Sequence, residues 1–316
     1  MKIAVLNEFF LGESHLNRLK ALGEVKVYLD TDSEEKTIER LEGVDIALGD
    51  CFIASFNKKV LDTTNNLKLL ILNSTGYDLV DIDAANNKGI KVANAPGFST
   101  DAVAELAIGL MFAVNRKIVL GDKAMRENPF EADPGNREHD IFWGFNLKGK
   151  TLGVIGLGKI GTRVGEIGQA LGMNVIAYNR TPKQVNNIEL VPLEELLKRS
   201  DVVSIHLALN SNTENIISKK ELHLMKPTAI IINTARGKHI VTDDLLEDLK
   251  QNKIAGAGLD IVTDVAKDHP ILKLDNVVLT PHIGSSTQES WKVNLPEIAV
   301  STAEAFIKGE QRNIVN

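Results

Sequence analysis

The sequence predicts an α/β protein made of two doubly wound parallel-sheet domains, and three observations carry that expectation. Short apolar or β-branched segments alternate with amphipathic ones from the N-terminus to about residue 280, the pattern of strands joined by crossover helices. Gly156, Gly158 and Gly161 stand in G-x-G-x-x-G spacing between an apolar strand and a helical segment, where such a turn can cradle phosphates. The chain has 316 residues, enough for two cores.

In the first half, residues 3–6, 25–29, 44–48, 67–72 and 90–93 read as strands, with residues 16–22, 34–41 and 82–87 as crossover helices. A longer helical pattern follows from Thr100 to Met125, capped by Ser99 or Thr100 after Pro96 and Gly97. Residues 129–146 read as irregular, with Pro134 and Gly135 inside. Beyond them, strands are expected at residues 151–155, 174–178, 202–205, 229–233, 254–259 and 277–279. Six strands in two halves make a complete dinucleotide-binding sheet. Helical segments at residues 160–171, 193–199, 219–225 and 243–251 separate several of them, and a last helical run covers residues 287–308. A complete βα domain ahead of the nucleotide domain suggests a ligand cleft between the two.

Composition narrows the function. A hydrophobic content of 43% and a charged content of 25% are ordinary for a globular protein. The net charge of −6 argues against nucleic acid or an anionic membrane as the main partner. Cys51 is the single cysteine, so neither an internal disulfide nor a cysteine-based metal site is expected, and its simplest reading is a small buried hydrophobe. The N-terminus lacks the apolar segment of a signal peptide, and no apolar run approaches membrane-spanning length. A cytoplasmic location is the expectation.

The three glycines have separate reasons to be there. The first permits a tight turn, the second lets backbone N–H groups approach a pyrophosphate, and the third lets helix and strand pack closely. The phosphates would sit at the helix N-terminus, where unpaired N–H groups and the helix dipole favour negative charge. At the end of the second strand, where an acid would hold the ribose hydroxyls of NAD, the chain reads Asn179-Arg180-Thr181. A neutral amide followed by a cation favours NADP(H) over NAD(H), the alternative being that Arg180 is an exposed loop residue that touches no cofactor.

In such sheets ligands bind beyond the carboxyl ends of the strands. Three successive strand ends deliver Thr234-Ala235-Arg236, then Asp260, then His282. A guanidinium suits a bidentate grip on a carboxylate, and histidine suits proton transfer near neutral pH. With a nicotinamide, the pair implies hydride transfer at a carbon next to a carboxylate. Taken singly, Arg236 could pair with a structural acid and His282 could be a satisfied loop histidine. His206 also follows a strand and reads as structural or cofactor-lining. In the first domain, Ser74-Thr75-Gly76-Tyr77 follows a strand and could form an anion nest for a substrate carboxylate, or an ordinary turn.

Several long motifs in one order, NSTGYDLVDIDAANNKGIKVANAPGFSTDAVAELA, LKGKTLGVIGLGKIG, INTARG, AGAGLDI and NVVLTPHIGSST, resemble the D-isomer-specific 2-hydroxyacid dehydrogenases, most closely their glyoxylate and hydroxypyruvate reductase members. The resemblance covers nearly the whole length. It implies a Rossmann dinucleotide-binding domain, residues 98–285, inserted into a flavodoxin-like substrate domain, residues 1–97 and 286–316, and a homodimer built largely by the nucleotide domains. It implies NAD(P)H-dependent reduction of a small 2-keto acid to the D-2-hydroxy acid, with Arg236 binding the substrate carboxylate and carbonyl and His282 as proton donor. Ser74, Thr75, Gly76 and Tyr77 would lie along the carboxylate. Lys159 and Ile160 would contact the pyrophosphate, Asn179, Arg180 and Thr181 the adenosine ribose, Thr234 and Ala235 the cofactor edge, Asp260 the nicotinamide amide, and Thr100 the nicotinamide.

One departure stands out. The family places a glutamate five positions after the aspartate matching Asp260, to pair with the catalytic histidine. Here that position is Val265, and Asp264 is the nearest acid. A nearby carboxylate stabilises imidazolium and raises the histidine pKa. The altered acid leaves a second reading open, a nucleotide-sensing binding protein or corepressor on the same scaffold, against which the retained Arg236 and His282 weigh.

Overall fold

In a computed structural model that describes residues 1–127, 141–181, 185, 187–263 and 265–316, the chain divides into two compact units. One is Met1–Ser99 with Ser286–Asn316, the other Thr100–Ser285. Part of the stretch expected to be irregular, residues 129–140, lies outside the described residues.

The first unit carries β1 (Lys2–Leu6), β2 (Glu24–Tyr28), β3 (Ile46–Gly49), β4 (Leu69–Leu72) and β5 (Lys91–Ala93), all paired in parallel in the order β2-β1-β3-β4-β5. That is the flavodoxin-like order. Parallel strands covered by helices on both faces need apolar residues at every position, and β3 and β4 supply them, being buried throughout. Alternation then divides the side chains between two cores. Ala47, Leu70 and Leu72 pack on one face, and Ile46, Leu48, Leu69 and Ile71 on the other. Helices α1 (Glu13–Leu22), α2 (Glu34–Leu41), α3 (Lys58–Thr63) and α4 (Ile82–Asn87) connect the strands. The six-residue α3 was not evident in the sequence.

The second unit opens with α5 (Thr100–Asn115) and α6 (Ile118–Glu127). The sequence suggested one continuous helix here. The break falls at Lys117, which takes the left-handed conformation at φ 53°. Its cause is tertiary. The Asn115 amide exchanges two hydrogen bonds with the backbone of Phe145, at 2.7 and 2.9 Å, and Gly144 sits so close to the Asn115 carbonyl that a Cβ would collide with it.

Seven parallel strands follow in the order β12-β11-β10-β9-β6-β7-β8. They are β6 (Thr151–Ile155), β7 (Asn174–Tyr178), β8 (Glu189–Leu190), β9 (Val202–Ile205), β10 (Ile230–Asn233), β11 (Gly256–Leu259) and β12 (Val277–Leu279). The unexpected seventh strand is β8, whose two exposed residues carry no apolar pattern. The strand order reverses between β6 and β9, the switch point at which such sheets bind ligands. Helices α7 (Lys159–Ala170), α8 (Leu193–Arg199), α9 (Lys219–Leu222) and α10 (Thr242–Lys250) cover the sheet. Among the described residues no helix is long and apolar enough to cross a membrane.

The chain returns to the first unit through a π-helical turn, Glu289–Asn294, and α11 (Leu295–Ile307). Arg18 on α1 bonds Glu304 through Nε at 2.8 Å and Glu297 through Nη1 at 2.6 Å. Hydrogen bonds to the guanidinium hold both carboxyls below the usual carboxylate range. A carboxyl pKa lowered by folding stabilises the protein above its unfolded value and loses that contribution as pH falls through the folded one. Arg18→Ala should therefore cost on the order of 1 kcal/mol or less at neutral pH, since Glu297 is mostly exposed. It should also flatten the fall of Tm on acidification below about pH 4. Thermal unfolding across pH checks both.

Candidate active site

The fingerprint runs from β6 into α7. Gly156 has φ 99°, and a Cβ there would stand 2.7 Å from the carbonyl oxygen of His206. At Gly161 a Cβ would collide with the Gly156 carbonyl, whereas at Gly158, the N-cap of α7, nothing lies within 4 Å. Two glycines thus let the backbone close on itself and the third leaves open space at a helix N-terminus, which is what a pyrophosphate needs. Lys159 and Ile160 form the first turn of α7.

Asn179, just past β7, accepts the Leu157 N–H at 3.1 Å and donates to the Thr181 carbonyl at 2.6 Å. Its amide braces the glycine turn. Arg180 beside it is exposed.

At the switch point, His206 receives a place by backbone and side chain together. Its N–H donates to Ile155 at 2.8 Å, and its Nε2 lies 2.8 Å from Ser204 Oγ. Burial pushes its pKa down to about 3, so the ring stays neutral at physiological pH.

After β10 come Thr234, Ala235 and Arg236. Asn233, the last residue of β10, organises this turn. Its Oδ1 accepts the Ala235 N–H at 3.0 Å and its Nδ2 donates to the Arg236 carbonyl at 2.8 Å. The hydroxyl of Thr234 is buried without a hydrogen-bond partner, as is that of Thr100 at the start of α5. Buried polar atoms normally have partners, and a bound polar group would supply them.

Asp260, after β11, is 1% exposed. Its N–H donates to Asn233 at 3.0 Å and its carbonyl accepts the His282 N–H at 2.8 Å. Its carboxylate accepts Thr280 Oγ1 at 2.6 Å and the N–H groups of Ile283 and Gly284 at 2.8 and 2.9 Å. One buried acid therefore fixes the turn that carries His282. The ring of His282 belongs to an exposed residue with φ 55°. Asp264 lies outside the described residues.

In the first unit, Ser74-Thr75-Gly76-Tyr77 follows β4. Ser74 Oγ donates to the Gly76 carbonyl at 2.6 Å and lies 3.2 Å from the buried Cys51 thiol. Thr75 Oγ1 donates to Ala95 at 3.1 Å. Both hydroxyls brace the turn, while the amide N–H groups of residues 75–77 donate to no described residue.

A family model described as the D-isomer specific 2-hydroxyacid dehydrogenase NAD binding domain matches residues 108–284. The chain belongs to that family, and it is a 2-hydroxyacid dehydrogenase, an oxidoreductase that uses a nicotinamide dinucleotide. It is 38% identical to a glyoxylate reductase of Thermococcus litoralis over 96% of this chain and 94% of the relative. It is 37% identical to a hydroxypyruvate reductase of Blautia hydrogenotrophica over all of both chains. An acyclic imino acid reductase solved in complex with NADPH and D-arginine superposes with a TM-score of 0.91 at 37% identity, again over all of both chains.

Proposed function

We propose that the protein reduces a small 2-keto acid, glyoxylate or hydroxypyruvate, to the D-2-hydroxy acid, preferring NADPH to NADH. The observation that carries this reading is the delivery of Arg236, Asp260 and His282 by three adjacent parallel strands, β10, β11 and β12, joined by the bonds from Asp260 to Asn233 and His282. The cofactor supplies the hydride. The protein does the rest. The Arg236 guanidinium holds the carboxylate and polarises the carbonyl, and His282 delivers a proton to the oxygen as charge develops there. Amide N–H groups of Ser74, Thr75, Gly76 and Tyr77 add donors for the carboxylate. Lys159, Ile160 and the open Gly158 hold the pyrophosphate, Thr234, Ala235, Thr100 and neutral His206 line the nicotinamide side, and Asp260 steadies the His282 turn. Asp264 is proposed as the acid that supports His282.

Absorbance of NADPH and NADH followed with glyoxylate, hydroxypyruvate and pyruvate tests the proposal. The expected result is turnover of the first two, fastest with NADPH. Cofactor binding without turnover of any 2-keto acid would overturn it. A second reading rests on the imino acid reductase, which is about as similar to this chain as the keto acid reductases are: the same guanidinium could hold a 2-imino acid. An absolute requirement for ammonia or an amine in the assay would favour that one.

The cofactor preference rests on Asn179 and Arg180. An acid at position 179 would repel a 2′-phosphate, whereas the amide does not, and Arg180 is exposed beside it. Arg180→Ala should raise KM for NADPH about tenfold, the worth of a charge-assisted hydrogen bond, and leave KM for NADH nearly unchanged. Equal effects on both would remove the argument. A homodimer is the proposed assembly. Helix α6 buries none of its residues and leaves Ile118 and Val119 more than half exposed. Sedimentation velocity should give twice the chain mass for the wild type and the chain mass for Ile118→Glu.

A further inference from the structure

We infer that His239 is a positioning residue that fixes the turn bearing Arg236 to the loop that follows His206, an inference that rests on the proposed 2-keto acid reductase reading. His239 ends the short 3-10 turn Gly237–His239, of which Arg236 is the N-cap, and it is completely buried. Its two ring nitrogens reach two carbonyls of one loop. Nδ1 is 2.9 Å from the oxygen of Thr213, and Nε2 is 3.1 Å from the oxygen of Leu207.

Those two carbonyls stand at the two ends of a tight excursion of the chain. Within residues 207–213, Thr213 Oγ1 donates to the Ala208 carbonyl at 2.7 Å and accepts the Asn210 N–H at 2.9 Å, so the loop closes on itself. The imidazole crosses its mouth. A neutral ring donates to one of the carbonyls and a doubly protonated ring to both. On the far side of Leu207 is His206, whose carbonyl abuts Gly156 and whose N–H bonds β6. On the near side, the His239 N–H returns to the Arg236 carbonyl at 3.2 Å. One ring therefore spans from the strand end that touches the glycine turn to the turn that presents the guanidinium.

Backbone bonds also join the two segments, from Asn215 to Lys238 at 2.8 Å and from Ile217 to His239 at 3.0 Å. They lie beyond Thr213 and leave residues 207–213 without that support. The spacing between the cofactor-lining loop and Arg236 is thus set by a side chain. Displacements of about 1 Å at such points cost large factors in rate or affinity.

The test separates positioning from simple core filling. A variant that only lowers the folded fraction reduces apparent kcat and leaves both KM values where they were. His239→Leu, which fills the space without a donor, should instead raise KM for the keto acid and for NADPH, each about tenfold, in protein shown by circular dichroism to be folded at the assay temperature. His239→Gln, which keeps an N–H donor, should recover most of the difference, and it decides the matter if the leucine variant does not fold. Folded His239→Leu with both KM values within about twofold of wild type, or a glutamine variant no better than leucine, would overturn the inference. Arg236→Ala is assayed in parallel. If it too retains wild-type kinetics, the reductase reading fails; if it is crippled while His239→Leu is not, only the positioning role fails.

Discussion

Replacing His282 by alanine is expected to lower kcat for glyoxylate reduction by about a thousandfold and to leave NADPH binding unchanged, the signature of a proton donor that acts in the transition state. The expectation depends on the turn surviving the substitution. His282 occupies the left-handed region, at φ 55°, which a side chain enters at a cost of about 1–3 kcal/mol and keeps only where its surroundings over-determine it. Here they do. Asp260 receives the N–H groups of His282, Ile283 and Gly284 and the hydroxyl of Thr280. None of these bonds uses the imidazole, so all of them remain available to the loop when the ring is deleted. His282→Asn is the stricter experiment, because asparagine tolerates the left-handed region and cannot serve as an acid. Stopped-flow and steady-state kinetics of both variants should agree. Retention of more than about a tenth of wild-type kcat by His282→Asn would mean the proton comes from elsewhere.

The strands were legible because parallel sheets demand continuous apolar runs, and residues such as Leu69–Leu72 and Ile230–Asn233 supply them without ambiguity. What escaped was set by contacts distant in sequence. Nothing local in Arg116-Lys117 announces a helix break, since the clamp is the amide of Asn115 on Phe145. Strand β8 is held by pairing with β7 and not by its own residues. At the candidate site the same division holds. Glycine spacing and strand-end chemistry are one-dimensional signals, so the residues that could touch a ligand stand out. The residues that orient them do not: Asn233 reads as the last position of an apolar run, and His239 as one more loop histidine. The amide of Asn179, which the resemblance sets beside the adenosine ribose, also braces the glycine turn through both of its ends, a role no spacing rule indicates.

The second large effect is expected at Arg236. Its carbonyl is gripped by Asn233 Nδ2, and its Nη1 donates to the Ala235 carbonyl at 3.0 Å, a bond that helps to orient the guanidinium fork. Removing a group that binds a carboxylate through paired, charge-assisted bonds costs about 2–5 kcal/mol. Arg236→Ala should therefore lower kcat/KM for glyoxylate by about a thousandfold. Lysine keeps the charge and loses the planar fork, so Arg236→Lys should recover part of KM and little of kcat, because polarisation of the carbonyl needs the second N–H in place. The decisive comparison uses glycolaldehyde, which has a carbonyl and no carboxylate. Wild type should favour glyoxylate strongly over it, and Arg236→Ala should shrink that preference by losing far more activity on the acid than on the aldehyde. The acid forfeits both the carboxylate grip and the polarisation, the aldehyde the polarisation alone. If the variant loses activity on both compounds by the same factor, the guanidinium acts on the carbonyl or the cofactor only and the carboxylate is held elsewhere, which would leave that task to the proposed amide donors of residues 75–77.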